Sequence, residues 1–366
     1  MHRMNDRRLR RCAFVLLIAT GTPGYGQSAE TEELLVTASR VPRGPLELIG
    51  NTAALDTQAI RLTSHQHIYE LGTRTAGTWL SRGSGQEHLT AIRSPVLTGP
   101  GACGAFLTLE DSIPTRPTGF CNVNQLFEIP TELVQRSEVL RGPANALYGS
   151  NGLHGSLNFL LPEAGANRGW RGDIEAGPDD YRRGRGNWSG SWGDTGVAAG
   201  LLADYYGGFQ NDSGYEQQKG YFKLARDLGD SKLRVGFSAS NLDQETAGFI
   251  RGQDAYKDPE LRRINPNPEA FRQADSQRAY LRWSQNRDTM RGRDLRAYLR
   301  RSDMEFLQHF LPGQPLEENG QLSGGLMFSQ WQPLGNGSLT WGLDTEYMQG
   351  FLRETQFQGL GLSLIH

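Results

Sequence analysis

No apolar run in this 366-residue sequence is long enough to cross a membrane as a helix. The longest uninterrupted one, Ala13 to Ala19, has about seven residues, against the roughly 20 that a spanning helix needs. That excludes a helical membrane protein. It leaves a transmembrane β-barrel open, because barrel strands alternate apolar and polar residues and never build a long apolar run. An excess of charge is lacking too: 38 basic residues face 40 acidic ones, a net charge of -2, which gives no electrostatic case for a nucleic-acid partner. No HExxH, phosphate-binding loop or nucleophile elbow is present, so no catalytic residue, no resident metal and no cofactor is expected. His65 and His67 stand two apart without a third ligand nearby, and are expected at the surface of a short helix or loop.

Cysteine is scarce, with three in the chain. Cys12 lies in a leader-like segment: Arg7, Arg8, Arg10 and Arg11 precede the apolar run, and Gly24 and Gly26 precede a cleavage point near Gln27. Residues 1–26 are therefore expected to be a signal peptide. Export then leaves Cys103 and Cys121, an even count in an oxidising compartment, which implies a disulfide. A metal site is the weaker alternative, since no histidine pair flanks these thiols.

Glycine is plentiful instead: 46 residues, about one in eight against a usual level of about 7%. There is no Gly-X-Y period, so the glycines punctuate a β-rich chain. Residues 27–45 are polar and irregular, interrupted by Leu34-Leu35-Val36. That segment suits either strand addition to a partner's sheet or a first strand of the next domain. Residues 46–165 read as a mixed α/β domain with short helices at Thr57–Arg61 and Ile68–Leu71 and a helix start at Pro130. Its strands are expected at Leu89–Arg93, Phe106–Glu110, Arg136–Leu140 and Leu157–Leu161. From about Trp170, segments of about ten residues alternate with period 2: Asp173–Gly177, Gly186–Trp192, Val197–Tyr206, Tyr221–Leu228, Lys232–Asn241, Arg278–Gln285, Asp294–Asp303, Gln321–Trp331 and Ser338–Gln349. Trp170, Trp188, Tyr205, Tyr206, Phe209, Trp283, Trp331 and Trp341 recur near segment ends, as in the aromatic girdles of membrane barrels. Long polar links are expected at Asp243–Ala274 and Phe306–Gly320.

Three stretches carry a resemblance to TonB-dependent outer-membrane receptors. Glu33-Leu34-Leu35-Val36-Thr37-Ala38 resembles the TonB box. The run from Glu138 to Ser150, with Arg141, Gly142, Pro143, Tyr148 and Gly149, resembles the plug signature. Gly152 to Phe159, with Gly155 and Asn158, resembles its continuation. Arg93-Ser94, where an arginine–glycine pair is usual, and Leu161-Pro162, where threonine–lysine is common, depart from that pattern.

The resemblance implies an α+β plug domain at 46–165, after a tail at 27–45 carrying the TonB box. A transmembrane antiparallel β-barrel over 166–366 follows. Its length allows about nine or ten of the roughly 22 strands such receptors have, so the chain is expected to be a fragment. It also implies the outer membrane of a Gram-negative cell, with lipid around the barrel. The TonB energy-coupling protein is the expected periplasmic partner, and a ferric siderophore the most favoured cargo. Glu138 and Arg141 are expected to pair in the plug or with barrel carboxylates. The Cys103–Cys121 bridge would tie two plug loops together, making Thr98, Arg116, Phe120 and Asn122 the candidates to touch ligand. A secreted soluble β-rich enzyme or adhesin is the alternative, with carboxylates drawn from Asp243, Glu245, Asp254 and Asp258.

Overall fold

A computed structural model describes residues 51–96, 105–120, 124–144, 146–166, 168–288, 290–335, 337–358 and 361–365. The leader, the TonB-box segment Glu33–Ala38, Thr98, Cys103, Cys121 and Asn122 lie outside these residues. The described chain forms a small α/β unit followed by one large antiparallel sheet.

The first unit, the plug, opens with β1 (Asn51–Leu55), α1 (Thr57–Thr63) and α2 (Ile68–Gly72). Asp56 caps α1 by accepting a hydrogen bond from the Ala59 amide at 2.7 Å. A two-stranded hairpin of β2 (Thr78–Leu80) and β3 (Thr90–Ile92) follows. Four more strands then complete a five-stranded sheet in the order β1-β6-β7-β4-β5: β4 (Phe106–Glu110), β5 (Ile113–Pro114), β6 (Arg136–Arg141) and β7 (Gly155–Leu160). Only β4 and β7 run parallel. Ile60, Leu71, Ile92, Phe106, Leu126, Ile129, Leu133, Leu157 and Phe159 make its core. The helix expected from Pro130 is a single 3-10 turn, Thr131–Leu133. It is too short to win α-helical hydrogen bonds before the chain enters β6.

The second unit is a ten-stranded meander, each strand paired to its sequence neighbours: β8 (Gly169–Ala176), β9 (Arg182–Trp192), β10 (Thr195–Tyr206), β11 (Tyr215–Leu228), β12 (Ser231–Glu245), β13 (Phe271–Asp288), β14 (Arg291–Leu307), β15 (Leu316–Leu334), β16 (Gly337–Gln358) and β17 (Gly361–Ile365). The nine alternating segments of the sequence are strands here, and β17 adds a tenth. The sheet is open: β8 and β17 do not pair with each other. Two-residue turns such as Gly193-Asp194 and Gly229-Asp230 close one end, while 177–181, 207–214, 246–270 and 308–315 form the other. Two long links are shorter than expected, because β12 to β15 continue through polar sequence.

Register explains that polar extension. Directly paired residues share a face, so outward side chains fall into rows across the wall. One row is Ala199, Phe222, Phe237, Ala279, Leu299, Gly324 and Tyr347; the next is Val197, Leu224, Val235, Leu281, Ala297, Leu326 and Thr345; a third is Leu233, Trp283, Leu295, Phe328 and Leu343. Phe222, Phe237, Leu281, Leu299, Leu326 and Leu343 are exposed. Toward the long-loop end the outward row turns polar: Gln218, Asn241, Asp275 and Asp303. An apolar belt bounded by polar rows is the surface of a barrel wall facing hydrocarbon. Trp331 is an exception among the girdle aromatics. It is buried on the inner face, over Gly292.

A charge placed in this belt has no hydration in lipid. Leu281→Arg is expected to lower the stability of the folded wall by about 2–4 kcal/mol in bilayers, while an outward substitution at Gln277 stays near neutral. Denaturant titration in lipid vesicles checks both.

Candidate functional site: the plug–wall interface

The inner face of the wall inverts the usual rule for a protein interior. Lys219, Lys223, Ser238, Ser240, Gln244, Arg272, Ser276, Arg278, Arg296 and Arg300 are all buried there. What buries them is the plug, which supplies the carboxylates for Lys219, Lys223, Arg272 and Arg278, while Arg296 and Arg300 pair with Asp294 and Glu346 of the wall itself. Lys219 meets Glu132 at 2.9 Å, Lys223 meets Asp111 at 3.0 Å, Arg272 meets Glu87 at 2.8 Å and Arg234 meets Glu163 at 3.4 Å. Arg278 takes two plug carboxylates, Glu128 at 2.9 Å and Glu110 at 3.4 Å. Plug backbone oxygens accept from the remaining cations: Ser112 from Arg296 at 2.6 Å, Pro114 from Arg300 at 2.5 Å and His65 from Arg183 at 2.6 Å. In the pairs between plug and wall every cation belongs to the wall and every carboxylate to the plug. Buried charges are tolerated because each is paired and hydrogen-bonded. Burial raises Glu110, with Arg278 and Ser238 opposing. Burial also acts upward on Glu132, but Lys219, by its charge and its hydrogen bond, overcomes it and holds the carboxyl below its ordinary range.

A tight turn concentrates these contacts. Asp111 and Ser112 link β4 to β5, both with left-handed backbone, φ 48° and 64°. Asp111 Oδ1 accepts from the Leu161 amide at 3.0 Å, and Oδ2 accepts from Tyr280 OH at 2.8 Å beside Lys223. Asn158 locks the turn from within the plug. Its Oδ1 accepts from the Ser112 amide at 3.0 Å, and its Nδ2 donates to Ser112 Oγ at 3.1 Å. The sequence marks this place only as a turn; the alternating inward positions 223 and 280 are the signal of what it meets.

The other signature residues sit around the same sheet. The expected pair of Glu138 with Arg141 is corrected: both lie on β6 three positions apart, so their side chains leave opposite faces. Glu138 meets Arg136, on its own face, at 3.2 Å, while Arg141 donates to the Ala76 carbonyl at 2.5 Å and the Thr52 carbonyl at 3.1 Å. Gly142, with φ +106°, turns the chain out of β6 ahead of Pro143, and Gly149 and Gly152 lie in the loop that follows. A side chain on Gly155 would start 2.4 Å from the Leu140 carbonyl. Tyr148 is buried against Leu107, Ile113, Tyr298 and Met327, an apolar contact between plug and wall.

Among the described ligand candidates, Arg116 is buried and its Nη2 donates to the Phe106 carbonyl at 3.3 Å. With Tyr148, Tyr298 and Glu346 it lines a cavity of about 220 Å³. Phe120 is half-buried close to Gly350 of β16.

The surface placement of the histidines is also overturned. His65, His67 and His88 are each 1% exposed. His65 Nε2 pairs with Thr131 Oγ1 at 3.1 Å. His67 Nδ1 caps α2 by accepting from the Tyr69 amide at 3.0 Å, so its Nε2 is left to donate to the Glu87 carbonyl at 2.9 Å. His88 Nε2 accepts from the Leu126 amide at 3.3 Å, so its Nδ1 donates to the Gln86 carbonyl at 3.1 Å. Burial lowers His65 and His67 to about 4 and His88 to about 3, so all three are neutral at pH 7. No cluster of metal-ligating side chains occurs among the described residues.

A polar-lined membrane wall packed against a small, ion-paired α/β domain defines a plugged β-barrel protein of the outer membrane. Residues 45–156 match the family model of the TonB-dependent Receptor Plug Domain. Over 219 residues the chain is 24% identical to the vitamin B12 transporter BtuB of Vibrio vulnificus (strain CMCP6), an alignment covering 60% of this chain and 33% of that protein. In fold it is similar to the ferripyoverdine receptor of Pseudomonas aeruginosa (TM-score 0.71, 16% identity, 89% of this chain and 46% of that one). It is also similar to the ferric citrate transporter FecA (TM-score 0.69, 15% identity, 87% of this chain and 50% of that one). Residues 45–156 thus belong to the plug domain of TonB-dependent receptors, and the strands that follow are similar in fold to the N-terminal part of such receptors' barrels. The chain spans about a third to a half of the length of the relatives it matches. Those relatives are transporters and receptors, not enzymes.

Proposed function

We propose that this chain is the plug and first barrel strands of a receptor for active uptake of a scarce ligand across the outer membrane, with a ferric siderophore as the cargo. The observation that carries the reading is the plug–wall interface. Beside the apolar contacts such as that of Tyr148, the plug is held by hydrogen-bonded ion pairs that exchange for water when it is displaced, so displacement costs less than it would across a wholly apolar interface. The similarity to a ferripyoverdine receptor and a ferric citrate transporter favours an iron chelate, while that to a vitamin B12 transporter keeps a corrinoid as the second reading.

In this proposal Glu33–Ala38 is the TonB box, pairing as an added strand with the TonB energy-coupling protein. Residues 1–26 are its signal peptide, and 27–45 the tail that carries the box. Thr98, Arg116, Phe120 and Asn122 are the proposed ligand contacts, on loops bridged by Cys103 and Cys121. That bridge would contribute roughly 3 kcal/mol by chain entropy.

Deleting Glu33–Ala38 is expected to abolish energised uptake of an iron-loaded siderophore by cells, while its binding to the same cells at low temperature is unchanged. Uptake at the wild-type rate after the deletion would remove the coupling role.

A further inference from the structure

The longest connection of the wall, 246–270, does not hang free. Its own fold is cross-braced to its neighbours. Arg263 donates to Asp179 Oδ1 at 2.7 Å and to the Phe209 carbonyl at 2.6 Å, and its guanidinium lies 4.3 Å from the centre of the Phe209 ring. Asn265 Nδ2 donates to the Asp212 carbonyl at 2.7 Å, and Gln210 Nε2 to the Ile264 carbonyl at 2.7 Å. Three outer connections thus form one hydrogen-bonded body.

Both feet of that body stand on a single plug loop, residues 83–88. At the β12 foot, Gln244 is 1% exposed, and its amide is clasped by plug backbone. Its Oε1 accepts from the Gln86 amide at 2.7 Å, and its Nε2 donates to the Ser84 carbonyl at 3.2 Å. The next contact runs the other way: Ser84 Oγ accepts from the Ala247 amide at 2.9 Å. Gly85, with φ +53°, makes the approach possible, because a Cβ there would fall 2.2 Å from Gln244 Oε1. At the β13 foot, Arg272 is 3% exposed and meets Glu87 at 2.8 Å.

Inside the plug the same loop is fastened again. It receives the Nε2 bond of His67, the cap residue of α2, on the Glu87 carbonyl, and Gln86 Nε2 donates to the Gln66 carbonyl at 3.1 Å. His88 continues to the turn at Leu126, and its own amide donates to Asn124 at 2.8 Å. A displacement of the outer loops therefore cannot leave residues 83–88 where they are without breaking buried hydrogen bonds, and each unmade one is costly.

We infer that residues 83–88, with Gln244 and Arg272 as positioning residues, form a coupling joint that links the arrangement of the outer loops to that of α2 in the plug. Coupling is reciprocal by thermodynamic necessity, so a perturbation on either side of the joint is felt on the other. The inference concerns coupling within the chain and holds whichever ligand is carried.

Hydrogen exchange on the purified protein in lipid nanodiscs tests it without ligand. Gln244→Ala, on the wall, is expected to speed exchange of the α2 amides about tenfold, a coupling within the usual 5–150-fold range. Ser84→Ala combined with Glu87→Gln, on the plug, is expected to speed exchange of the hydrogen-bonded Lys257, Arg263 and Ile264 amides by a similar factor. Arg272→Lys keeps the cation and serves as the mild variant should the others fold poorly; it is expected to act in the same direction with smaller size. Acceleration confined to the mutated side in every variant overturns the joint.

Discussion

Arg278→Leu is expected to lower the stability of the plug within its wall by about 3–5 kcal/mol, the largest single-residue effect at this interface. Arg278 lies between Glu110 and Glu128, which are 4% and 6% exposed, and it also donates to the Glu128 carbonyl at 2.9 Å. Removing it leaves two buried carboxylates beside each other without their shared cation. The loss is thus one of uncompensated charge, not of contact area. Glu110→Gln with Glu128→Gln in the same chain removes that charge, and the triple variant is expected to recover most of the loss. The two glutamine substitutions alone strand Arg278 and are expected to destabilise. Thermal unfolding in detergent, with protease resistance of the plug as a second readout, gives the full cycle. A loss below about 1 kcal/mol for Arg278→Leu would mean that the interface is as screened as a protein surface, and the charge argument would fail.

The fold was largely legible because a wall strand announces itself by alternation, and alternation survives without any knowledge of partners. What alternation could not locate were strand ends. Beyond the apolar belt the outward face is wet, so Asp243, Gln273 and Glu318 look like loop although they are paired in register. Inside, the limits were of another kind. Ser64-His65-Gln66-His67 is a polar tetrad that reads as surface, yet His65 and His67 are buried, and Arg183, more than a hundred residues later, bonds the His65 carbonyl. The signature from Glu138 to Asn158 was visible as a motif, but its partners were not. Nothing in the local sequence says that Asn158 holds the Asp111-Ser112 turn, or that Tyr148 packs on Tyr298. The wall's inward cations were visible as alternating residues, but the plug carboxylates that face them follow no period.

Acidification is expected to loosen the plug steeply below about pH 6.5, through His65, His67 and His88. The sign follows from linkage. All three have folded values below the ordinary 6.5, so between that value and about 4 the unfolded chain binds protons that the native chain refuses. Stability is then flat above pH 6.5 and falls with decreasing pH, by about 1.4 kcal/mol per pH unit for each histidine. Geometry gives the same direction. Protonated His67 would point an N–H at the Tyr69 amide it caps, and protonated His88 would point one at the Leu126 amide. Below about pH 4.5 Glu132, whose folded value is depressed, adds to the loss, while Glu110, raised by burial, takes up its proton above that pH and opposes part of the histidine slope there. His67→Asn keeps a cap acceptor for α2, and with His65→Gln and His88→Gln it removes the titrating groups. The triple variant is expected to start less stable at pH 8 but to lose the slope between pH 6.5 and 5. Plug unfolding measured by denaturant at a series of pH values separates the two, and equal slopes in wild type and variant would remove the histidines as the cause. Because His67 and His88 both hold the loop at residues 83–88, exchange of its amides should accelerate earliest on acidification, before β6 and β7 open.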